Sequence, residues 1–148
     1  MQMTNNFLVL LGFVTMTLFT SQANAGLAKK LPLCPNSPNC VSSQASDAGH
    51  YIAPFKITGK TEDAWAALKR VLSGQSRTVI VDETINTLHA EATSLVFRFV
   101  DDINVILDAD AGLIHIRSAS RVGYADFGVN RKRVEALRLQ LQKAQVIE

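Results

Sequence analysis

The sequence lacks a strong excess of charge of either sign. It contains 15 Lys and Arg residues against 13 Asp and Glu residues, which gives a formal net charge of +2 at pH 7. Domains that bind nucleic acid usually concentrate basic side chains in a patch and have a high isoelectric point. So small an excess predicts no nucleic-acid partner.

The sequence also lacks the short motifs of common enzyme classes. It contains neither a G-x-S-x-G nucleophile motif nor an H-E-x-x-H zinc motif. Its three histidines, His50, His89 and His115, do not have metal-ligand spacing. The sequence therefore predicts no resident metal and no cofactor, and its support for an enzyme is weak.

The first 25 residues contain no Lys, Arg, Asp or Glu. Residues 7–19 form a mainly apolar block, and Ala23-Asn24-Ala25 has the small-residue pattern of a signal-peptidase site. The block is shorter than the roughly 20 apolar residues that a spanning helix needs. We expect residues 1–25 to be a cleaved signal peptide, with the protein periplasmic or secreted and no stable membrane span after cleavage. An uncleaved anchor is the alternative.

Removing 25 of the 148 residues leaves 123, which is enough for one domain but not for two with sizeable cores. We therefore expect residues 26–148 to fold as a single domain. Its first part, residues 26–50, has neither helical nor strand periodicity and is predicted to form an irregular arm.

Only two cysteines occur, Cys34 and Cys40, and the residues between them are rich in Pro and Asn. In an oxidising compartment two cysteines this close are expected to pair with each other and to pin the arm. Closing so short a loop stabilises the fold by about 2.4 kcal/mol in the chain-entropy description. A metal site is the alternative, although a lone C-x5-C lacks the second ligand pair of zinc sites.

Two segments have the apolar spacing of amphipathic helices. The first follows Thr61 and ends near Gly74, and the second spans residues 130–145. The apolar stripes that we expect to be buried consist of Trp65, Leu68, Leu72, Val134, Leu137 and Leu141.

The segment between the two helices has the pattern of β-strands. Strands are predicted at residues 78–81, 87–93, 95–107 and 113–120, and a short strand at residues 51–58 precedes the first helix. No helix separates the four later strands, which argues against a parallel sheet. The order β-α-β-β-β-β-α predicts an α+β fold, in which a curved antiparallel sheet carries both helices on one face.

Three stretches of the sequence together resemble a known family. They are CPNSPNCVSS at residues 34–43, FRFVDDINV at residues 97–105 and IRSASRVGYADFGVNRKRVE at residues 116–135. The sequence resembles the exported bacterial and plastid-type proteins grouped as domain of unknown function 1499. The resemblance implies export and a single domain, and it implies no particular activity.

Opposite charges are segregated between the last two predicted strands. A hairpin that closes symmetrically on residues 108–112 places Asp101 opposite Ala119, with Arg117 and Arg121 diagonal to it. A register shift of one residue would substitute Asp102 for Asp101. We expect a partly buried ion-pair network here, since the planar guanidinium group suits such pairing.

Basic side chains follow Asn130 at the start of the last helix, where the helix dipole disfavours them. They are Arg131, Lys132 and Arg133. We expect a negative group to compensate them, either a folded-back Asp101 or Asp102 or an anion bound by the free backbone N–H groups. The alternative is a structural turn in which Asp126 caps the helix.

Three hypotheses for the function remain open. The first is a non-enzymatic binding or accessory module for an anionic small molecule, a lipid headgroup or a peptide carboxylate. The second is a small periplasmic hydrolase that uses Asp101 or Asp102 as acid or base near His115, and the third is a purely structural or interaction domain. The predicted anion site consists of Arg117, Ser118, Ser120, Arg121, Asn130, Arg131 and Arg133, with ion-pair partners Asp101, Asp102, Asp126 and Glu135.

Overall fold

The computed structural model describes residues 30–148, so the predicted signal peptide lies outside the described residues. The helices are α1 (Thr61–Ser73) and α2 (Val129–Lys143). The strands are β1 (Cys40–Ser42), β2 (Phe55–Lys56), β3 (Thr78–Glu83), β4 (Thr87–Thr93), β5 (Val100–Asp108) and β6 (Leu113–Ser120). Neither helix of this part of the chain combines the length and the hydropathy that crossing a membrane requires.

The six strands form one antiparallel sheet in the order β1-β6-β5-β4-β3, and β2 also pairs with β6. Side chains alternate between the two faces of each strand, as extended backbone requires. On β6, Ile114, Ile116 and Ser118 are buried against the helices, whereas His115 and Arg117 lie on the opposite face. We call that opposite face, which is turned away from α1 and α2, the outer face.

The predicted α+β class, with an antiparallel sheet and both helices on one face, is confirmed. The predicted disulfide between Cys34 and Cys40 is present as well. Residues 30–33 run over the outer face. There Leu31 is buried and its backbone N–H donates to Gln44 Oε1 at 2.7 Å.

Two predictions about strands are wrong in part. The arm at residues 26–50 contains β1, which pairs with the edge of β6, and the strand expected at residues 51–58 is reduced to β2. Both strands are at most three residues long, too short for a periodic pattern. Their hydrogen bonds go to β6, which is distant in sequence, so tertiary contacts determine where they form.

The strand predicted at residues 95–107 begins only at Val100, and residues 94–99 form a loop instead. Its apolar side chains, including Phe97 and Phe99, have the high strand propensity that led to the prediction. In the structure Phe97 is 73% exposed. These side chains therefore contribute little to the core.

The β5–β6 register differs by one residue from symmetric closure. Asp108 pairs with Leu113 and Asp102 pairs with Ala119, so Asp101 is not opposite Ala119. A shift of one residue exchanges the two faces of a strand. Asp101 therefore points to the helix side of the sheet and Asp102 to the outer face. This is the alternative register, in which Asp102 takes the place of Asp101 beside the arginines.

The core lies between the two helices and the inner face of the sheet. All six side chains predicted from the helical stripes are buried, Trp65 at 9% exposure and the other five at 0%. These residues join α1, α2 and the sheet in one hydrophobic cluster. The terminal helix is thus part of the core.

We expect Leu137→Ala to lower the free energy of unfolding by about 2–5 kcal/mol, because the fully buried side chain leaves a cavity. Leu139→Ala on the same helix is the matched control, since Leu139 is 58% exposed, and should change stability by less than about 0.5 kcal/mol. Urea denaturation of both variants checks this. Equal losses in the two variants would contradict the packing of α2.

Candidate functional site

A buried polar network joins the start of α2 to the ends of β5 and β6. Asn130 is fully buried, and its Oδ1 accepts hydrogen bonds from Ser118 Oγ at 2.6 Å and from Arg133 Nη1 at 2.7 Å. Arg133 Nη2 donates to Asp101 Oδ2 at 2.6 Å. Asn130 Nδ2 donates to Ser120 Oγ at 3.0 Å. These contacts satisfy polar groups that would be costly to bury alone.

Asp126 caps the start of α2, which has no acidic residue in its first turn. Its carboxylate accepts backbone hydrogen bonds from Gly128 at 2.9 Å and Asn130 at 2.8 Å. Burial raises the pKa of Asp126, but hydrogen bonds from Asn130 and Gly128 outweigh it, so the pKa lies below its usual value. The structure thus has the alternative that the sequence offered, a turn in which Asp126 caps the helix. It also has the expected ion pair between Asp101 and Arg133.

On the outer face, Arg121 bridges two carboxylates. Its Nε and Nη2 donate to Asp102 Oδ2 at 2.9 Å and Oδ1 at 2.7 Å, and Nη2 also contacts Glu91. His89 Nε2 lies 2.6 Å from Asp102 Oδ1. The hydrogen bond from Arg121 is the main cause that holds the pKa of Asp102 below its usual value. This cluster corresponds in part to the predicted ion-pair network: Asp102 takes the place of Asp101 and pairs with Arg121, whereas Arg117, within the described residues, forms no ion pair there.

The cluster also has the geometry of a candidate metal site. His89, Glu91 and Asp102 offer ligand atoms within 4.8 Å of one another. The guanidinium of Arg121 already lies against both carboxylates. We interpret the cluster as a salt-bridge network because the chain itself supplies the cation.

The structure does not bring the four predicted arginines into one site. Arg117 and Arg121 lie on the outer face, whereas Arg131 and Arg133 project from α2 on the other side of the sheet. Arg121 and Arg133 are each paired with a carboxylate. Glu135, a predicted partner, pairs with Arg138 of its own helix at 3.0 Å.

The other two arginines bind backbone carbonyls. Arg117 Nη2 donates to the Leu33 carbonyl at 3.3 Å, and burial lowers the pKa of Arg117. Arg131 donates to the carbonyls of Tyr51 at 2.9 Å and Gly49 at 3.1 Å. Both guanidinium groups therefore tie segments of the N-terminal arm to the rest of the domain.

The acid, base and histidine of the hydrolase hypothesis are also separated. Asp101 lies on the inner face of β5 and Asp102 on the outer face. His115 Nδ1 is 3.2 Å from Ser43 Oγ, and that oxygen accepts the Ile116 backbone N–H at 2.9 Å. Ser43 thus holds the sheet edge together, and His115 does not meet either aspartate.

One end of the domain exposes a concentration of apolar side chains. Two neighbouring loops, residues 94–99 and residues 121–128, together with the first residue of α2, form what we call the two-loop surface. Of the fourteen exposed large hydrophobic side chains among residues 30–148, eight are on this surface. They are Leu95, Val96, Phe97, Phe99, Val122, Tyr124, Phe127 and Val129, with exposures from 46% to 91%.

A cavity of about 310 Å³ opens between the two loops. The rings of Phe97 and Phe99 stack at 5.5 Å between centroids along one wall, and Phe127 belongs to the other. Asp101 and Asp126 are its charged lining residues, and no basic side chain lines it among residues 30–148. The cavity is therefore apolar and aromatic, with carboxylates as its charged groups.

Both loops contain a non-glycine residue in the left-handed backbone region. Arg98, which stands between Phe97 and Phe99 in the sequence, has φ 56°, and Phe127 has φ 54°. Residues with bulky side chains rarely adopt this conformation, and strain of this kind concentrates at functional sites. Phe127 is 91% exposed, so packing against the core does not account for its conformation.

The comparisons with known proteins identify the family. The family described as a protein of unknown function, DUF1499, matches residues 30–141. The chain belongs to the DUF1499 family. No curated protein matches it significantly. The match to the DUF1499 family confirms the resemblance that the three stretches of sequence predicted.

In this DUF1499 protein the three stretches that carried the resemblance meet at the two-loop surface. The disulfide loop is joined to the second loop by Asn39 Nδ2, which donates to the Gly123 carbonyl at 2.6 Å. The other two stretches contain Phe97, Phe99 and residues 121–128. The sequence thus contains a signal for this surface, although the apolar pattern of the first loop also fits a strand.

We expect Arg121→Gln to raise the pKa of Asp102 towards its ordinary value of 3.8, because the main hydrogen bond that lowers it is lost. A lowered folded-state pKa stabilises the fold above the unfolded-state pKa, and this contribution disappears as pH falls through the folded-state pKa. The variant should therefore lose less stability than the wild type between neutral and acid pH.

Carboxyl NMR titration and melting curves against pH measure both effects. Arg131→Gln is the control, because Arg131 binds carbonyls and lies on the other side of the sheet. An unchanged Asp102 titration in Arg121→Gln would contradict the assignment.

Proposed function

We propose that this DUF1499 domain is a non-enzymatic module that docks onto a lipid surface through the two-loop surface. The observation that carries the proposal is the concentration there of eight of the fourteen exposed large hydrophobic side chains. Soluble domains rarely expose large contiguous apolar patches unless the patch binds a partner or a membrane. Of the other six, Val79 and Val81 lie on the edge strand β3, and the remaining four are far apart in the sequence; isolated exposed apolar side chains are common on protein surfaces.

The type of apolar residue also favours a lipid surface. Phe97, Phe99, Tyr124 and Phe127 are exposed aromatic residues of the two loops, and aromatic side chains anchor proteins at the interface between headgroups and acyl chains. Binding strength at such an interface scales with the apolar area that is buried. The two loops would therefore bind together more strongly than either alone.

Two arginines flank the apolar side chains and favour anionic lipid. Arg98 is exposed within the first loop, and Arg77 donates its Nε hydrogen to the Thr93 carbonyl beside it at 3.1 Å. Among residues 30–148 neither has a carboxylate partner. Each basic side chain near an anionic bilayer contributes about 1 kcal/mol.

The anion site predicted from Arg117, Arg121, Arg131 and Arg133 stays a prediction. The salt bridges of Arg121 and Arg133 favour a structural role for these two side chains. A lipid headgroup was one of the predicted anionic partners, and Arg98 and Arg77 are better placed to meet it. Export, predicted from residues 1–25, is compatible with the proposal, because a domain exported to the periplasm would have membrane surfaces within reach.

The test is co-sedimentation of the protein with vesicles. We expect Phe97→Ser and Phe127→Ser each to weaken binding about tenfold or more, since each removes a large apolar side chain from the interface. Ile85→Ser is the matched control, because Ile85 is 81% exposed in the β3–β4 turn at the opposite end of the strands. Adding anionic phosphatidylglycerol should strengthen wild-type binding, and salt should weaken it.

Equal losses in Ile85→Ser and Phe127→Ser, or no binding to vesicles, would contradict docking through the two loops. Concentration-dependent self-association that Phe127→Ser abolishes, without vesicle binding, would identify a second copy as the occupant instead. Phe127→Asn separates function from folding, because Asn tolerates positive φ and the ring makes few contacts. It should bind vesicles weakly while its melting temperature is unchanged or raised.

A further inference from the structure

The cavity between the two loops has an aromatic wall and an incompletely satisfied carboxylate. The Asp101 side chain is only 10% exposed and lines the cavity. Among residues 30–148, Arg133 Nη2 is the one side-chain donor that its carboxylate engages. An ionised carboxylate accepts about four hydrogen bonds, so Asp101 has unused acceptor capacity.

The charges around the cavity favour a cation inside it. Asp101 and Asp126 both line the cavity, and the lowered pKa keeps Asp126 ionised. Arg133, which pairs with Asp101, is not a lining residue, and Asp126 caps α2, so both charged groups that face the cavity are carboxylates. The faces of phenyl rings such as Phe97 and Phe99 also attract cations.

The first loop, which supplies one wall of the cavity, also carries a positive charge. Arg98 stands between Phe97 and Phe99 in the sequence, is exposed, and among residues 30–148 has no carboxylate partner. A ligand that fits this arrangement has an ammonium group for the cavity, a phosphate for Arg98 and an apolar body that follows the loops. An ammonium group, a phosphate and an apolar body occur together in a phospholipid whose headgroup contains an amine.

We propose that the cavity binds the primary ammonium group of a phosphatidylethanolamine headgroup, with the phosphate at Arg98. The primary ammonium donates hydrogen bonds to Asp101, which the quaternary ammonium of phosphatidylcholine cannot do. This inference deepens the proposed lipid docking and depends on it. Docking alone needs only the apolar side chains, whereas headgroup recognition needs the cavity.

The experiment compares vesicles that have the same fraction of phosphatidylglycerol and differ only in the remaining lipid, phosphatidylethanolamine or phosphatidylcholine. We expect the wild type to bind the first about tenfold more tightly, as one added charge-assisted hydrogen bond predicts. Ala125→Leu is the key variant, because Ala125 lines the cavity and a larger side chain there fills it while the apolar surface is kept. It should still bind vesicles and lose the preference.

A preference that Ala125→Leu retains would overturn the inference, because differences in bilayer packing would then explain it. Equal wild-type binding to both vesicles would overturn the inference while leaving docking intact. A second experiment uses soluble headgroups and so separates headgroup binding from docking onto a bilayer. Glycerophosphoethanolamine should shift the backbone NMR signals of Asp101 and Gly123, and glycerophosphocholine should shift them less. If vesicles do not bind at all, docking fails, and the soluble ligands alone decide whether the ammonium site exists.

Discussion

The hydrogen bonds of Asn130 are the constraint on which this domain depends most. The amide is fully buried where α2 begins, and it holds Ser118, Arg133 and Asp126 in one network. Arg133 extends that network to the carboxylate of Asp101 on β5. Removing one member of such a network leaves buried polar groups without partners, which costs more than the lost hydrogen bond itself. The start of α2 is therefore fixed against the sheet.

This network also determines what the neighbouring loops can do. Residues 121–128 are joined to β6 at one end and to α2 at the other, and their large apolar side chains stay exposed. Asp126 uses its carboxylate to cap the helix, and Phe127, next to it, is left 91% exposed. The same network explains how the Asp101 carboxylate can line an apolar cavity. An unpaired charge is costly to bury there, and the ion pair with Arg133 compensates it. Stability and the proposed binding thus share the same residues.

Much of the fold could be predicted because it is recorded in local patterns. The spacing of Leu68, Leu72, Val134 and Leu137 indicates which faces of the helices are buried, and alternation indicates β4 and β6. The register of β5 against β6 could not be decided, because two closures of one hairpin differ by a single residue in the turn. That residue decides whether Asp101 or Asp102 faces Arg121.

The candidate site was only partly predictable for a related reason. Arg117, Arg121, Arg131 and Arg133 are close in sequence, but the sheet separates them into pairs on its two sides. The apolar residues of the first loop satisfied the pattern of a strand, and sequence patterns do not show whether an apolar side chain is buried. The exposure of Phe97 and Phe127 depends on tertiary structure, which is why the two-loop surface was not predicted.

Tryptophan fluorescence tests the central claim, that these loops enter a lipid interface, most directly. The native Trp65 is buried in the core and is the single tryptophan of the chain, so it provides a constant background. A tryptophan introduced as Phe127→Trp should shift its emission to shorter wavelength when vesicles are added, while Ile85→Trp at the opposite end should not. A shift for Ile85→Trp alone, or for neither variant, would contradict this account of the domain.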